Sequence, residues 1–241
     1  MSHPPRGPYS RVPFNGVVVL DTETTGLWPY GIKDDGTPSG DPEGADRMCS
    51  LAMLRLGRNR EGWQTLEKVR FFVDPERGVS KEASAVNGFV RVGYNAFVPP
   101  NARNLIGLPN FGDVADAVQK FIGGWPVVMH NAPFDFAVLD AEFARAARPM
   151  LGVGFLCTKM AFSDMLGLGR PARYVPGTNL NKLCDILGVD RSGRIGADGL
   201  EAHGADVDAE MAANCFISLD EMGWMVLGDA DALPHRGGTA V

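Results

Sequence analysis

The sequence predicts an α/β fold in which helices cover both faces of a mixed β-sheet. Residues 17–20 form an unbroken apolar run in which three of the four residues are β-branched, which is typical of a strand buried on both faces. Strand patterns come first and in succession, as in an antiparallel meander, whereas from Phe111 onwards strands alternate with helical patterns. An antiparallel part followed by strand–helix units indicates a mixed sheet.

The first half of the chain is predicted to contain strands and one short helix. In order, these are a strand over 16–21, a strand over 48–56, a strand over 69–73 and a helix over 80–86. Residues 57–62 form a hairpin-type turn, and Ser80 is suited to cap the helix. The Gly-, Pro- and Asp-rich residues 28–47 are interpreted as a loop at the rim of a cleft.

In the second half, apolar residues recur at helical spacing. The predicted elements are a helix over 111–122, a strand over 126–129, a helix opened by Pro133, a strand over 155–157, a helix ending near 166, a helix over 179–187 and a helix over 204–219. Gly123 and Gly188 follow two of these helices, as expected of helix ends, and proline is tolerated in a first helical turn.

The length and charge of the chain limit what it does. With 241 residues, 45% of them hydrophobic, we expect one domain over 14–222 between tails at 1–13 and 223–241. A net charge of −6 argues against a protein that follows long duplex nucleic acid by neutralising its phosphates. It does not exclude an enzyme that grips a few nucleotides in a cleft that holds metal ions.

The cysteines and the N-terminus indicate a cytoplasmic location. The four cysteines are far apart and form no paired motif, which argues against a zinc site or a disulfide framework and fits a reducing cytosol. No long apolar run stands at the N-terminus, so we expect no signal peptide, no membrane span and no membrane partner.

Asp21 and Glu23 stand at the point where the first apolar run ends. Because strand side chains alternate with period 2, both carboxylates are expected on the same side of the strand. Adjacent acids raise each other's pKa unless a positive charge lies between them, and Mg²⁺ prefers carboxylate oxygens. Taken alone, the pair is equally consistent with ordinary surface acids at a solvated turn.

Three further candidates stand at predicted helix starts, namely Asp135, His203 and Asp208. Ligands of open α/β sheets bind beyond the carboxyl ends of strands, so Asp135 is expected beside Asp21 if their strands are parallel neighbours. Each candidate alone is more typical of a helix end or a surface. Together, four carboxylates and a histidine are what two-metal phosphodiester hydrolysis requires, with the neutral imidazole as proton acceptor.

The order and spacing of these motifs resemble the DEDD-type 3′→5′ exonucleases, in the histidine-containing branch that includes the proofreading epsilon subunits of bacterial DNA polymerase III. The three motifs are LDTETTGL at 20–27, HNAPFD at 130–135 and HGADVDA at 203–209. The resemblance spans about residues 14–219. It implies a ribonuclease H-like fold with a mixed five-stranded sheet flanked by helices.

The resemblance also implies roles for individual residues. Two Mg²⁺ or Mn²⁺ ions would be bound by four carboxylates, those of Asp21, Glu23, Asp135 and Asp208. His203 would be the general base. The residues implied to contact the terminal or penultimate nucleotide are Thr24, Gly26, Leu27, Val86, Asn87, Asn131 and Phe134. The aromatic ring of Phe134 is suited to stack on a base.

The sequence departs from the family pattern in three places. Asn87 stands where the family has a typical histidine. Ser50 and Ala52 stand in a strand that usually carries an acidic residue and a glycine, and the loop over 28–47 looks like an insertion. Arg170 and Arg173 lie in a loop that the family places near the cleft, where they would either contact phosphate or belong to a solvated loop.

The sequence leaves the substrate and the partner open. Single-stranded or frayed 3′ ends are expected, with DNA favoured, and a DNA polymerase subunit is a candidate partner. An exoribonuclease of the same superfamily is the alternative enzyme, since discrimination depends on contacts to a 2′-hydroxyl that the sequence does not reveal. A non-catalytic nucleic-acid-binding or polymerase-associated subunit is the alternative from another class, although it would not need like charges crowded together.

Overall fold

The structure is a computed structural model of the 241-residue chain, and it describes residues 16–27, 45–95, 98–99, 101–149, 154–168, 177–194 and 203–225. The strands in these residues are β1 (Gly16–Thr24), β2 (Met48–Asn59), β3 (Gly62–Phe72), β4 (Phe89–Val90), β5 (Arg103–Asn104), β6 (Val127–Met129) and β7 (Phe155–Cys157). The helices are α1 (Lys81–Asn87), α2 (Phe111–Ile122), α3 (Ala132–Arg145), α4 (Thr158–Met165), α5 (Leu180–Leu187) and α6 (Ala205–Glu221), with a 3-10 turn at Ser192–Arg194.

Some predicted features fall outside the described residues. These are the N-terminal tail over 1–13, most of the loop over 28–47, Arg170 and Arg173, and the C-terminal tail beyond 225. None of the described helices has the length and apolar character needed to cross a membrane. All four cysteines are buried free thiols.

The central sheet has five strands in the order β3-β2-β1-β6-β7. Strands β1, β2 and β3 pair antiparallel, whereas β6 pairs parallel with both β1 and β7. The predicted mixed five-stranded sheet is therefore confirmed. A separate two-stranded parallel pair, β4 and β5, was not predicted, because two residues per strand are too few to produce a periodic pattern.

The alternation of β1 divides the core into two layers. Val17 and Val19 pack in an apolar cluster with α4, α5 and α6, whereas Val18 and Leu20 pack in a second cluster with α2 and α3. All four side chains are fully buried, and each contributes about 1.5–3 kcal/mol by leaving water. This explains why the strand is apolar at every position and why helices cover both faces.

Three strands are longer than the sequence pattern indicates. Strand β2 continues past residue 56 to Asn59, so the turn predicted over 57–62 is reduced to residues 60–61, because β2 and β3 pair up to the turn itself. Strand β1 continues past Asp21 to Thr24, because its antiparallel pairing with β2 continues as far as Met48. Strand β3 begins at Gly62 rather than at residue 69, since it pairs with β2 along its whole length. Most of the added residues of β3 are polar and exposed, so their apolar signal is too weak to indicate a strand.

Local capping sets the helix starts at the predicted places. The Ser80 hydroxyl accepts a hydrogen bond from the backbone N–H of Ala83, at 3.1 Å. Asn179 caps α5 in the same way through the N–H of Lys182, at 2.9 Å. Gly88 ends α1 with a φ of 70°, a left-handed conformation that favours glycine. These caps set where α1 and α5 begin and where α1 ends.

Candidate active site

Strand β1 extends beyond its parallel neighbour β6, and Asp135 fills the gap this creates. The pairing of the two strands joins Val18 to Val127 and Val19 to Val128, so the part of β1 after Leu20 has no strand on that side. There the backbone N–H and the hydroxyl of Thr22 both donate to Oδ1 of Asp135, at 3.2 and 2.7 Å. The start of α3 is thereby fixed against the acidic end of β1.

Asp21 and Glu23 lie on the face of the sheet that α6 covers. They share the alternation of Val17 and Val19, whose cluster includes α6, and Asp208 stands in the first turn of that helix. Burial raises the pKa of Asp21 well above its usual value, and the nearby carboxylates of Asp135, Asp208 and Glu23 raise it further. The structure therefore brings together all four carboxylates that the sequence singled out.

The raised pKa values in the cluster show that the charged forms of its carboxylates are destabilised in the folded protein. Burial and the Asp208 carboxylate raise the pKa of Glu23 to about 7. Burial also raises the pKa of Asp135 to about 7, although the hydrogen bonds from Thr22 oppose the change. Crowded carboxylates of this kind favour a bound cation, and their oxygens suit hard divalent ions.

Glu23, His203 and Asp208 form the tightest part of the site. One potential ligand atom from each of them lies within 4.8 Å of the other two, close enough to share a metal ion. Nδ1 of His203 lies 3.0 Å from Oδ2 of Asp208, and the backbone N–H of His203 donates to the carbonyl of Val86 at 3.1 Å. The hydrogen bond with Asp208 raises the pKa of His203.

Arg194 belongs to the acidic cluster, although the sequence analysis does not identify it as a site residue. Its Nε and Nη2 donate to Oδ1 and Oδ2 of Asp208, both at 2.6 Å, and the two residues are only 4% and 5% exposed. Burial opposes charge on Asp208, but hydrogen bonds from His203 and Arg194 outweigh it and lower the pKa of that carboxyl. Arg194 lies in a short 3-10 turn without apolar periodicity, so no sequence signal pointed to it.

A cavity of about 380 Å³ lies beside Glu23. Its described lining residues are Glu23, Thr24, Gly26, Leu27, Asp46, Ser80, Glu82, Ala83, Val86 and Asn87. This volume is near the lower end of the usual range for small-molecule sites, about 300–1,000 Å³. Five residues expected to contact nucleotide thus line the same cavity as Glu23, a candidate metal ligand. Asn131 and Phe134 lie outside the described lining, at the start of α3.

Asn87 connects two walls of this cavity through its side chain. Its Nδ2 donates to the carbonyl of Thr24 at 3.0 Å, and its Oδ1 accepts from the N–H of Phe89 at 3.0 Å. The end of β1 and the end of α1 are therefore fixed to each other. Asn87 stands where the family has a histidine, and both its side-chain oxygen and its side-chain nitrogen form hydrogen bonds with the backbone. One of its two amide hydrogens is left to donate to a ligand.

Gly26 permits a close approach between the turn after β1 and Asp46. A Cβ atom at Gly26 would lie 2.3 Å from Oδ2 of Asp46, whose Oδ1 accepts from the Thr25 hydroxyl at 2.8 Å. Because Asp46 is bonded to the turn itself, a side chain at position 26 would displace the cavity wall. Glycine is required here by space rather than by backbone conformation.

The two departures in β2 lie directly beside the acidic residues. Ser50 pairs with Glu23, and Ala52 pairs with Asp21, so these side chains share the α6 face. The Ser50 hydroxyl is buried and has no hydrogen-bond partner in the described part of the chain. A serine in place of the family's acidic residue leaves this corner of the cluster less negative.

Comparison with known proteins connects this arrangement to an enzyme family. The exonuclease family (RNase_T) matches residues 102–216. The epsilon subunit of DNA polymerase III from Haemophilus influenzae is 28% identical over 205 residues, which cover 85% of this chain and 67% of that protein. The Escherichia coli epsilon subunit is 28% identical over 204 residues, which cover 84% of this chain and 70% of that protein.

These matches agree with the four carboxylates and the histidine that the fold gathers at one end of β1. They support a DEDDh-type, epsilon-like 3′→5′ exonuclease. Enzymes of this type use divalent metal ions, and the acidic donor set of this exonuclease fits such ions in number and chemistry.

Solved structures agree with the fold of this exonuclease. The nuclease domain of 3′hExo, a DEDDh family member bound to rAMP, matches with a TM-score of 0.62 and 12% identity, covering 91% of this chain and 98% of that one. The Escherichia coli ExoI–ssDNA complex matches with a TM-score of 0.60 and 16% identity, covering 86% and 41% of the two chains. The predicted ribonuclease H-like fold is confirmed.

Without metal, the exonuclease is expected to lose stability as the pH rises through about 7. Glu23 and Asp135 bind protons more tightly when folded, so their stabilising contribution is complete below about pH 4 and lost as the pH passes about 7. The raised pKa of His203 acts in the same direction. Melting temperatures in EDTA should therefore be lower at about pH 8 than at about pH 5.5.

Saturating Mn²⁺ is the control, because bound cations compensate the ionised carboxylates and should reduce this loss. Glu23→Gln should also flatten the pH dependence in EDTA, since it removes one of the titrating groups. Equal pH slopes with and without Mn²⁺ would mean that these carboxylates share no site with a cation.

Proposed function

We propose that this exonuclease removes nucleotides from the 3′ end of DNA with two Mg²⁺ or Mn²⁺ ions bound by Asp21, Glu23, Asp135 and Asp208. The observation that carries the proposal is the gathering of four carboxylates, one of which lines a cavity of about 380 Å³. Two divalent ions held by these carboxylates would supply positive charge to the attacking and leaving oxygens of a phosphodiester. The chain itself supplies the positioning groups and a proton acceptor.

His203 is proposed as the general base. Its Nδ1 is occupied by Asp208, which leaves Nε2 to accept a proton from the attacking water. The hydrogen bond from its backbone N–H to Val86 anchors the residue beside the cavity. The side chain is 39% exposed, so it reaches solvent and has room to turn.

The terminal nucleotide is proposed to occupy the cavity beside Glu23. Leu27 and Val86 present exposed apolar side chains at its wall, 72% and 46% exposed, and such surfaces suit the face of a base. Thr24 and Gly26 bring the backbone after β1 close to the nucleotide. Asn131 and Phe134, at the start of α3, are proposed to help hold the terminal and penultimate nucleotides.

Relatives favour DNA as the substrate and a polymerase as a partner. The curated relatives are named as epsilon subunits of DNA polymerase III, which supports a proofreading or repair role and a cytoplasmic location for this chain. Trimming of RNA 3′ ends is the second candidate, because one structural neighbour is a 3′-exonuclease that recognises the 3′ end of a histone mRNA stem-loop. A non-catalytic role is disfavoured, since binding alone does not require a repulsive acidic cluster.

Substitution of neighbouring acids in α6 tests the metal site. Asp208→Asn removes the charge that we place on a metal ion, so cleavage should fall by orders of magnitude. Asp206→Asn is the matched control, because Asp206 is two residues away, half-exposed and paired with Arg70 at 2.6 Å. Cleavage should be followed as shortening of 5′-labelled single strands of DNA and RNA, with Mg²⁺, Mn²⁺ or EDTA.

A ladder shortened from the 3′ end in Mg²⁺ or Mn²⁺, lost in EDTA and in Asp208→Asn but kept in Asp206→Asn, is the expected result. Faster shortening of DNA than of RNA would support the proposed substrate, whereas the reverse would favour the ribonuclease. Full activity in EDTA would exclude the two-metal mechanism.

His203→Ala is expected to lower kcat by roughly 10²–10⁴-fold, the usual worth of a positioned acid–base group. It should also remove the acid limb of the pH–rate profile, because the imidazole must be neutral to accept a proton. Mn²⁺ binding should largely persist, since the carboxylates remain. Retention of the acid limb with only a small loss of rate would show that another group accepts the proton.

A further inference from the structure

The guanidinium of Arg194 lies inside the acidic cluster and occupies the carboxylate of Asp208. It meets both carboxylate oxygens at 2.6 Å in a bidentate arrangement, and both side chains are almost fully buried. An arginine stays charged at any physiological pH, so it acts as a permanent cation at this place. No role in the family pattern described above accounts for it.

The hydrogen bonds on Asp208 leave little room for another ligand. Its Oδ2 accepts from Nη2 of Arg194 and faces Nδ1 of His203, and its Oδ1 accepts from Nε of Arg194. A carboxylate offers about four lone-pair positions, and these contacts use three of them. A metal ion that took both oxygens of Asp208 would have to displace at least part of the contact with Arg194 or with His203.

Arg194 is held in this position by its own surroundings. Its Nη1 donates to the side chain of Asn181 in α5, and its 3-10 turn packs against α6, where a Cβ at Gly193 would lie 3.2 Å from Val207. The charge reaches beyond Asp208, because Arg194 lowers the pKa of Asp21 and of Glu23 as well. The guanidinium is thus fixed where it offsets the repulsion of the cluster.

We propose that Arg194 is a positioning residue that takes the place of a divalent cation on Asp208 in the metal-free enzyme and yields part of that contact when metal binds. The first half of the inference concerns the metal-free protein and stands without any activity. The second half rests on the proposed metal site. Arg194 therefore stabilises the cluster without metal and weakens its affinity for metal, so the arginine and the metal compete for one carboxylate.

The metal-free protein tests the first half. Removal of one partner of a buried ion pair leaves an uncompensated charge, so Arg194→Met should lower the melting temperature in EDTA by roughly 5–15 °C. Arg194→Met combined with Asp208→Asn should recover much of that loss, because no unpaired charge remains. Arg191→Met is the matched control, since Arg191 is near in sequence and pairs with Asp185 rather than with Asp208.

Calorimetric titration with Mn²⁺ tests the second half, at a temperature where each variant is folded. Loss of a fixed positive charge beside the site should tighten Mn²⁺ binding by on the order of 10- to 100-fold in Arg194→Met. Arg191→Met should bind as the wild type does. Arg194→Lys keeps the positive charge but not the bidentate contact, so its affinity for Mn²⁺ should lie between those of the wild type and Arg194→Met. This variant replaces Arg194→Met in the titration if Arg194→Met does not fold.

If both Arg194 variants bind Mn²⁺ as the wild type does, or more weakly, the arginine does not compete with the metal. If Arg194→Met melts at the wild-type temperature in EDTA, the arginine does not stabilise the metal-free protein. Failure of the inference is distinguishable from failure of the proposed function. Wild-type protein that shortens DNA in Mn²⁺ but shows neither effect would keep its function and lose the arginine's role. Protein without nuclease activity would still show the effect on melting temperature if the inference is correct.

Discussion

The mutual repulsion of four carboxylates is the constraint on which the rest of the site depends. Asp21, Glu23, Asp135 and Asp208 influence one another's pKa, and burial prevents water from screening their charges. Each neighbouring polar group offsets part of this repulsion. Thr22 donates twice to Asp135, and a guanidinium donates twice to Asp208. A metal-dependent nuclease needs such a cluster, since carboxylate oxygens are the ligands that hard divalent ions prefer.

The fold produces this cluster through the alternation and length of one strand. Residues of β1 alternate between two apolar layers, and the same alternation directs Asp21 and Glu23 toward α6 once the apolar run ends. Because β1 extends past β6, it also leaves a backbone N–H that the start of α3 satisfies through Asp135. The first part of β1 therefore packs in the core, and its last part carries two residues of the candidate active site.

The sequence predicts those parts of the site that local periodicity controls, and it misses those that tertiary contacts create. Period-2 alternation was enough to place Asp21 and Glu23 side by side, whereas the positions of Asp135 and Asp208 depended on strand order and were supported by family resemblance. Arg194 has neither periodicity nor motif, because its role arises only when its turn meets α6. The hydrogen bonds of the Asn87 side chain could likewise not be predicted from the sequence, since both partners are main-chain groups and no residue type marks them.

Electron paramagnetic resonance of the Mn²⁺-saturated protein tests the metal cluster most directly, because it counts the ions and reports their separation. The four carboxylates predict two Mn²⁺ ions per chain with the spin coupling of ions about 3.5–4 Å apart. The coupling should disappear in Asp208→Asn and persist in Asp206→Asn, whose side chain pairs with Arg70. A single uncoupled Mn²⁺ at saturation, or coupling unaffected by Asp208→Asn, would contradict a two-metal site built on these residues.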